Sequence, residues 1–115
     1  KRDTTYPGLE DYSYGPETYD AVVIAALAAA AAGTDNPAEV ARNINGVTRD
    51  GEKCSSYADC VALLDAGEDI DYDGPSGPQS FSKAGEPTEA SFAVQTYAAD
   101  NTIDAEATTY ETAKL

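Results

Sequence analysis

The strongest hydrophobic pattern in the chain lies in residues 21–32, which read AVVIAALAAAAA. Pro16 precedes this run and Gly33 follows it. Proline suits the first position of a helix, and glycine favours the left-handed conformation that ends one. We therefore predict a helix over residues 16–32. Because its whole circumference is apolar, we expect it to be covered on more than one side.

Within this helix, residues at helical spacing form the stripe expected to face the core. Glu17 and Asp20 lie in its first turn, where the helix dipole favours negative charge. The stripe consists of Tyr19, Val22, Val23, Ala26, Leu27 and Ala30.

Two shorter helices are predicted next, over residues 37–46 and 56–66. Asn36 precedes the first, and Ser55 or Ser56 precedes the second. Each of these side chains can cap a helix by accepting hydrogen bonds from its free N–H groups.

After residue 67 the pattern changes to short alternating stretches, separated by Gly, Pro and Ser. Such a pattern predicts strands. The last two are expected to pair as a hairpin across the turn KAGE. Strands are predicted over residues 69–73, 79–83 and 89–98.

The two ends of the chain follow neither pattern. Residues 1–15 are predicted as an irregular lead-in, residues 16–100 as the folded unit, and residues 101–115 as a polar, frayed tail. The predicted fold class is α/β, with three helices followed by a β-hairpin in one small domain.

Residues 69–74 read DIDYDG, which resembles the start of a calcium-binding EF-hand loop. The twelfth position of such a loop should be a bidentate Glu, but here it is Ser80, and Pro75 opposes the helix that should follow. Ile70 and Tyr72 alternate with the acids, as in a strand with one wet face. We therefore predict an edge strand whose acids face solvent, and no metal site.

The chain is strongly acidic, with 21 Asp and Glu against 7 Lys and Arg and a net charge of −14. This charge disfavours nucleic acids and anionic membranes as partners. The absence of histidine removes the usual general base and the commonest zinc ligand. No nucleotide-binding motif or catalytic constellation is present, so we predict a protein that is not an enzyme and needs no cofactor.

Cys54 and Cys60, the two cysteines, are spaced C-x5-C. Zinc and thioredoxin-like sites use C-x2-C, so the spacing favours a disulfide, which implies an oxidising compartment. The alternative is a pair of free thiols. The longest apolar run, 12 residues, is short of the ~18 typical of a membrane span, and no leader pattern begins the chain. We expect a soluble piece, mature or truncated.

Two runs carry a resemblance to a known family: YDAVVIAALAAAAAG at residues 19–33 and GEDIDYDGPSGPQSF at residues 67–81. They resemble the C-terminal part of type I periplasmic solute-binding proteins, and most of all the branched-chain amino-acid binding proteins of ABC importers. The likeness extends over residues 7–100. The second run is similar to the family segment G-x-D-I-D-Y-x-G-x-S-G-x-x-x-F. The turn that follows differs, with Ser82 and Glu86 where Asp is usual.

The resemblance implies a fragment of a two-lobed α/β protein of several hundred residues, in which a solute is trapped when the lobes close. It implies an extracytoplasmic protein, periplasmic or lipid-anchored at the cell surface, that binds an amino-acid-like ligand and delivers it to ABC importer membrane subunits. The helices would pack on the sheet of the first lobe, and the chain would cross to the second lobe near residues 80–81. An isolated fragment is expected to be only marginally stable. We expect it to bury more surface by forming oligomers or by swapping elements between copies.

Most of the family's ligand contacts come from segments that are not in this sequence. One contact can be carried over. In the family, an aromatic residue that lines the pocket for the ligand's side chain lies five positions before the helix tyrosine, and the resemblance places Tyr14 at this position, five residues before Tyr19. The alternative is an ordinary packing tyrosine at the start of a helix. Two other functions remain open, a ligand-sensing regulator on the same fold and a small secreted interaction module.

Overall fold

A computed structural model of the chain describes residue 8 and residues 12–114. Most of the predicted lead-in, and Leu115, lie outside these residues. The α/β class is confirmed, with three helices in the described part of the chain. In chain order the elements are α1 (Gly15–Ala32), α2 (Pro37–Asn43), β1 (Glu52–Cys54), α3 (Tyr57–Asp65), β2 (Ile70–Tyr72), β3 (Glu89–Tyr97) and β4 (Ile103–Lys114).

Helix α1 is buried on one side only. Gly33 closes it in the left-handed conformation (φ 63°), as its lack of a Cβ allows. The predicted stripe is partly wrong: Tyr19 and Val22 are exposed, Val22 at 67%, so the apolar far side of α1 has no cover within the described residues. The buried face consists of Asp20, Val23, Ile24, Leu27 and Ala28.

The two shorter helices begin where their caps predict. Asn36 Oδ1 accepts hydrogen bonds from the backbone N–H groups of Ala38 and Glu39, and Ser56 Oγ accepts one from Asp59. Helix α2 ends at Asn43, earlier than predicted, and the chain turns from there to Val47.

No single helix in the described residues is long and apolar enough to cross a membrane. Helices α1 and α2 taken together reach that length and composition, but they meet at a bend of 106°. The inner face of α1 packs into the protein core, and core helices often satisfy the same criteria.

The centre of the fold is a parallel pair of strands joined by a helix. Strand β1 pairs with β2 and α3 forms the crossover between them. The strand predicted at 69–73 is present as Ile70–Tyr72, but the prediction that it lies at a sheet edge is wrong. The other side of β2 is bridged by Thr48, which pairs with Asp71, and the N–H of Tyr72 donates to the carbonyl of Val47. All three β2 residues are buried.

A disulfide joins Cys54 at the end of β1 to Cys60 in α3. Both cysteines are buried in the core, which also contains Leu27, Ile70 and Tyr72. The crosslink therefore fixes the strand-to-helix turn of the central unit.

The C-terminal part forms a hairpin, but not the predicted one. Residues 79–83 make no strand, and only Phe81 bridges to Pro87. Instead β3 pairs with β4, from Glu89 opposite Lys114 to Tyr97 opposite Ile103. The frayed tail predicted for 101–115 is therefore wrong for its described residues. A turn with Asn101 in the left-handed conformation (φ 66°) connects the two strands.

The molecule is less compact than its length predicts. Its radius of gyration is 16.8 Å, whereas a compact domain of this length has about 13 Å. It exposes 8011 Å², against about 6,000 Å² for a compact monomer of its mass. The difference, about 2,000 Å², is the size of a protein interface.

Candidate functional site

Tyr14, the one ligand contact predicted from the resemblance, lies immediately before α1. Its backbone is in the left-handed region (φ 60°), which is uncommon for a residue with a side chain. Its carbonyl accepts hydrogen bonds from the backbone N–H and the hydroxyl of Thr18. The side chain is 79% exposed, so it does not pack in the core as an ordinary structural tyrosine would.

Two clefts share Tyr14 as a wall. One, of about 680 Å³, separates the start of α1 from the hairpin, and the other, of about 780 Å³, runs along the exposed side of α1 past Val22 to Pro75. Both volumes are within the range of small-molecule sites. The first cleft is lined mainly by Tyr12, Tyr14, Glu17, Phe92, Ile103 and Tyr110.

The lining of the first cleft is better suited to binding an apolar group than to catalysing a reaction. Aromatic rings from α1's approach and from the hairpin face it, and Glu17 supplies a carboxylate at its edge. Its described lining residues include no lysine or arginine. Such a cleft can hold an apolar side chain against aromatic rings, and it can accept hydrogen bonds from an amine.

A second polar feature is a buried carboxylate that the sequence reasoning missed. Asp20 was predicted to lie in the first turn for the helix dipole, but it is 1% exposed and faces the core. The hydroxyl of Tyr72 donates to Asp20 Oδ1 at 2.8 Å, and the backbone N–H of Ser76 donates to Oδ2 at 2.8 Å. The Ser76 hydroxyl donates to the same oxygen, and Gln79 Nε2 lies 3.5 Å from it.

The turn that brings these donors to Asp20 depends on glycine. The N–H of Gly77 donates to the carbonyl of Gly74 at 3.0 Å, which closes the turn. A Cβ at Gly74 would overlap with the Asp20 carboxylate and with the Tyr72 hydroxyl. Gly77 has a φ of 107°, a conformation that other residues rarely adopt. These glycines let the backbone approach the carboxylate closely.

One signal in the sequence could have indicated this cluster. Asp20 is the only charged residue between Glu17 and Asp35, and an acid on an otherwise apolar helix needs donors if it is buried in the core. Nothing local identifies the donors, since they lie 52 to 59 residues further along the chain.

Two of the three acids of the DIDYDG stretch contact a lysine, whereas Asp69 is exposed as predicted. Lys53 Nζ lies 2.9 Å from Asp71 Oδ2 and 2.6 Å from Asp73 Oδ2. The hydrogen bonds to Asp73 and Asp71 raise the pKa of Lys53. Asp71 is 7% exposed, so the prediction that it faces solvent is wrong. Its position is explained by the pairing of β1 with β2, which sets Lys53 directly beside Asp71.

Within residues 8 and 12–114, no group of three or more potential ligand side chains is arranged to hold a metal ion. Asp71 and Asp73, which occupy the third and fifth positions of the EF-hand-like pattern, are turned toward the ammonium group of Lys53. Asp69 accepts a hydrogen bond from the backbone N–H of Ile70.

The described functional features are thus the Tyr14 clefts and the buried carboxylate of Asp20. Tyr14 immediately precedes α1 and Asp20 lies within it, but the first is exposed and the second faces the core. No family model, curated protein or solved structure matches this chain.

Proposed function

We propose that this chain is the C-terminal segment of an extracytoplasmic solute-binding receptor of type I, which delivers branched-chain or other amino acids to the membrane subunits of an ABC importer. The chain itself performs no catalysis in this proposal. Its role is to supply part of one lobe, the beginning of the crossover between lobes, and one wall of the ligand pocket.

The observation that carries the proposal is the meeting of the two family-like runs at one carboxylate. Asp20 belongs to the first run, and its donors Tyr72, Ser76 and Gln79 belong to the second. Tyr72 and Ser76, together with the glycines of the turn, are among the residues that define the family-like segment. The resemblance thus falls on residues that depend on one another physically, so one run without the other would leave buried groups unpaired.

The uncovered surfaces also support the proposal. Strands β1 and β2 are three residues each, and a parallel sheet normally has more strands and helices on both faces. Two further surfaces are uncovered in the described residues: the apolar outer side of α1 and both faces of the hairpin. A larger α/β lobe would cover all three.

Tyr14 has the role of an aromatic wall in this proposal. Its exposed ring beside a cleft of about 680 Å³ suits contact with the apolar side chain of an amino acid. A ligand held between two lobes is released when they open, which matches a delivery function. The disulfide is compatible with an oxidising, extracytoplasmic location.

The reading frame that encodes this segment, followed by a thermal-shift screen of amino acids on its full product, tests the proposal. We expect a product of several hundred residues with this segment near its C-terminus, and a rise in melting temperature with an aliphatic amino acid. A product that contains only this domain and a leader would overturn the proposal.

A further inference from the structure

The outer edge of strand β3 pairs with no other strand in the described residues. Strand β3 pairs with β4 on one side, and no other strand among residues 12–114 pairs with it. Its free edge presents backbone donors and acceptors along nine residues. Such an edge is a template for another strand unless charge, proline or a bulge protects it.

The one charge on β3 is Glu89 at its first residue, which pairs with Lys114 of β4. Residues 90–97 read ASFAVQTY, without charge, proline or glycine. The irregularity in the hairpin register leaves extra residues on β4, between Asp104 and Thr109. Strand β4 also carries three acids, Asp104, Glu106 and Glu111. The hairpin therefore has one neutral edge and one acidic edge, and only the neutral edge is suited to pairing.

We propose that two copies of this chain associate by antiparallel pairing of their β3 edges, which forms a four-stranded sheet with the acidic β4 strands outermost. A twofold axis near Ala93 gives a register in which no like charges are paired. It sets Glu89 opposite Tyr97 of the second copy and Phe92 opposite Val94, so no like charges face each other.

In the same register, exposed apolar side chains of the two copies lie next to each other. Phe92 and Val94, exposed at 59% and 53%, lie on one face of β3, and the axis brings the pair from each copy together. Directly opposed side chains in antiparallel strands have Cβ atoms about 5 Å apart, close enough for contact. The chain exposes about 2,000 Å² more than a compact monomer of its mass. This is more than the area of about 800 Å² that each partner buries in a standard interface.

The net charge of −14 on each copy opposes association. Because this repulsion is between exposed charges, salt screens it. The dimer is therefore expected to strengthen as salt concentration rises, whereas a dimer held by surface ion pairs would weaken.

Sedimentation or light scattering of the whole chain over a concentration series tests the inference. We expect the apparent mass to double from 12.0 kDa and the dimer fraction to grow with salt. Ala93→Lys sets two like charges across the axis and should return the mass to that of the monomer. Ala113→Lys, the same change at an exposed site on β4, should leave the dimer in place.

A charge-pairing experiment gives the sharpest outcome. Ala93→Glu alone should also be monomeric, and its mixture with Ala93→Lys should form a heterodimer. Circular dichroism verifies that each variant folds like the parent chain. A parent chain that stays monomeric, a dimer that survives Ala93→Lys, or a dimer lost with Ala113→Lys would each overturn the inference. None of these results depends on the proposed receptor function, since the intact receptor is not used.

Discussion

At the scale of single residues, Asp20 has the most demanding environment in the molecule. A carboxylate is costly to bury unless donors surround it, and no lysine or arginine contacts this one in the described residues. Its partners are instead a phenol, a backbone N–H, a hydroxyl and an amide. Asp20 therefore holds the turn 74–77 onto α1 by hydrogen bonds alone.

Replacing Asp20 with alanine removes the acceptor shared by these donors. Each buried donor left without a partner costs about 1–3 kcal/mol, so Asp20→Ala should lower the free energy of unfolding by about 3 kcal/mol. Urea denaturation measures the loss. Asp65→Ala, at an exposed position of α3, is the control and should change stability by less than about 0.5 kcal/mol. Equal effects of the two changes would contradict the role given to Asp20.

Tyr72 makes the stability of the fold sensitive to alkaline pH. Burial, together with the hydrogen bond to Asp20, raises the pKa of the Tyr72 hydroxyl above its usual range. Because the folded state favours the protonated phenol, this contribution is fully present below the unfolded pKa of about 10 and is lost as pH rises above it. The free energy of unfolding should fall by up to about 1.4 kcal/mol per pH unit there.

Tyr72→Phe should be less stable at neutral pH, since Asp20 loses a donor, and its stability should decline less between about pH 9 and pH 11. Urea unfolding at several pH values measures both effects. Parallel declines in the parent chain and the variant would show that Tyr72 is not the group responsible.

At the scale of elements, the sequence predicts what local signals encode. Asn36 and Ser56 cap the helices that follow them, and Gly33 ends α1, because caps act over three or four residues. The strands were predicted less well, since pairing depends on distant residues. The sequence pattern of residues 69–73 does not reveal that Lys53 of β1 lies beside Asp71 and Asp73. The polar composition of β4 resembles a tail, although the turn at Asp100–Asn101 connects it to β3.

Prediction of the candidate site from the sequence is limited in the same way. Tyr14 could be proposed only from the resemblance, and its exposed position leaves a ligand role open. The Asp20 cluster could not be assembled from the sequence, because its members come from two segments that only the fold brings together. Periodicity alone also misplaced the buried face of α1, since a helix that is apolar all round gives no direction to its core side.

The contact of β1 with β2 through Lys53 gives a prediction at this scale. Lys53→Met removes the only cation beside Asp71 and Asp73 in the described residues and leaves the buried Asp71 without its counter-charge. We expect a loss of about 1–2 kcal/mol, limited by the 59% exposure of the lysine side chain. Lys83→Met, at an exposed turn, is the matched control. Similar unfolding midpoints for the two variants would contradict this account.

At the scale of the whole molecule, the large exposed surface is the dominant feature. The chain has a well-packed centre around Leu27 and Tyr72, yet it exposes about 2,000 Å² more than a compact monomer of its mass. In the proposed receptor, a larger lobe would cover this surface, and the proposed pairing of β3 edges would cover part of it in the chain alone. In both proposals the exposed apolar groups would be contact surfaces.

The central claim concerns the function of Tyr14 in an intact amino-acid receptor. Calorimetric titration of leucine into the full product of the reading frame tests it most directly. We predict saturable binding that weakens at least about tenfold in Tyr14→Ala, since an aromatic wall contributes about 1.5–3 kcal/mol of buried contact. Binding should be retained in Tyr14→Phe and in Tyr57→Ala, an exposed tyrosine outside both clefts. The 115-residue chain alone should not bind leucine measurably. An intact product that binds no amino acid, or one whose affinity is unchanged in Tyr14→Ala, would contradict the account.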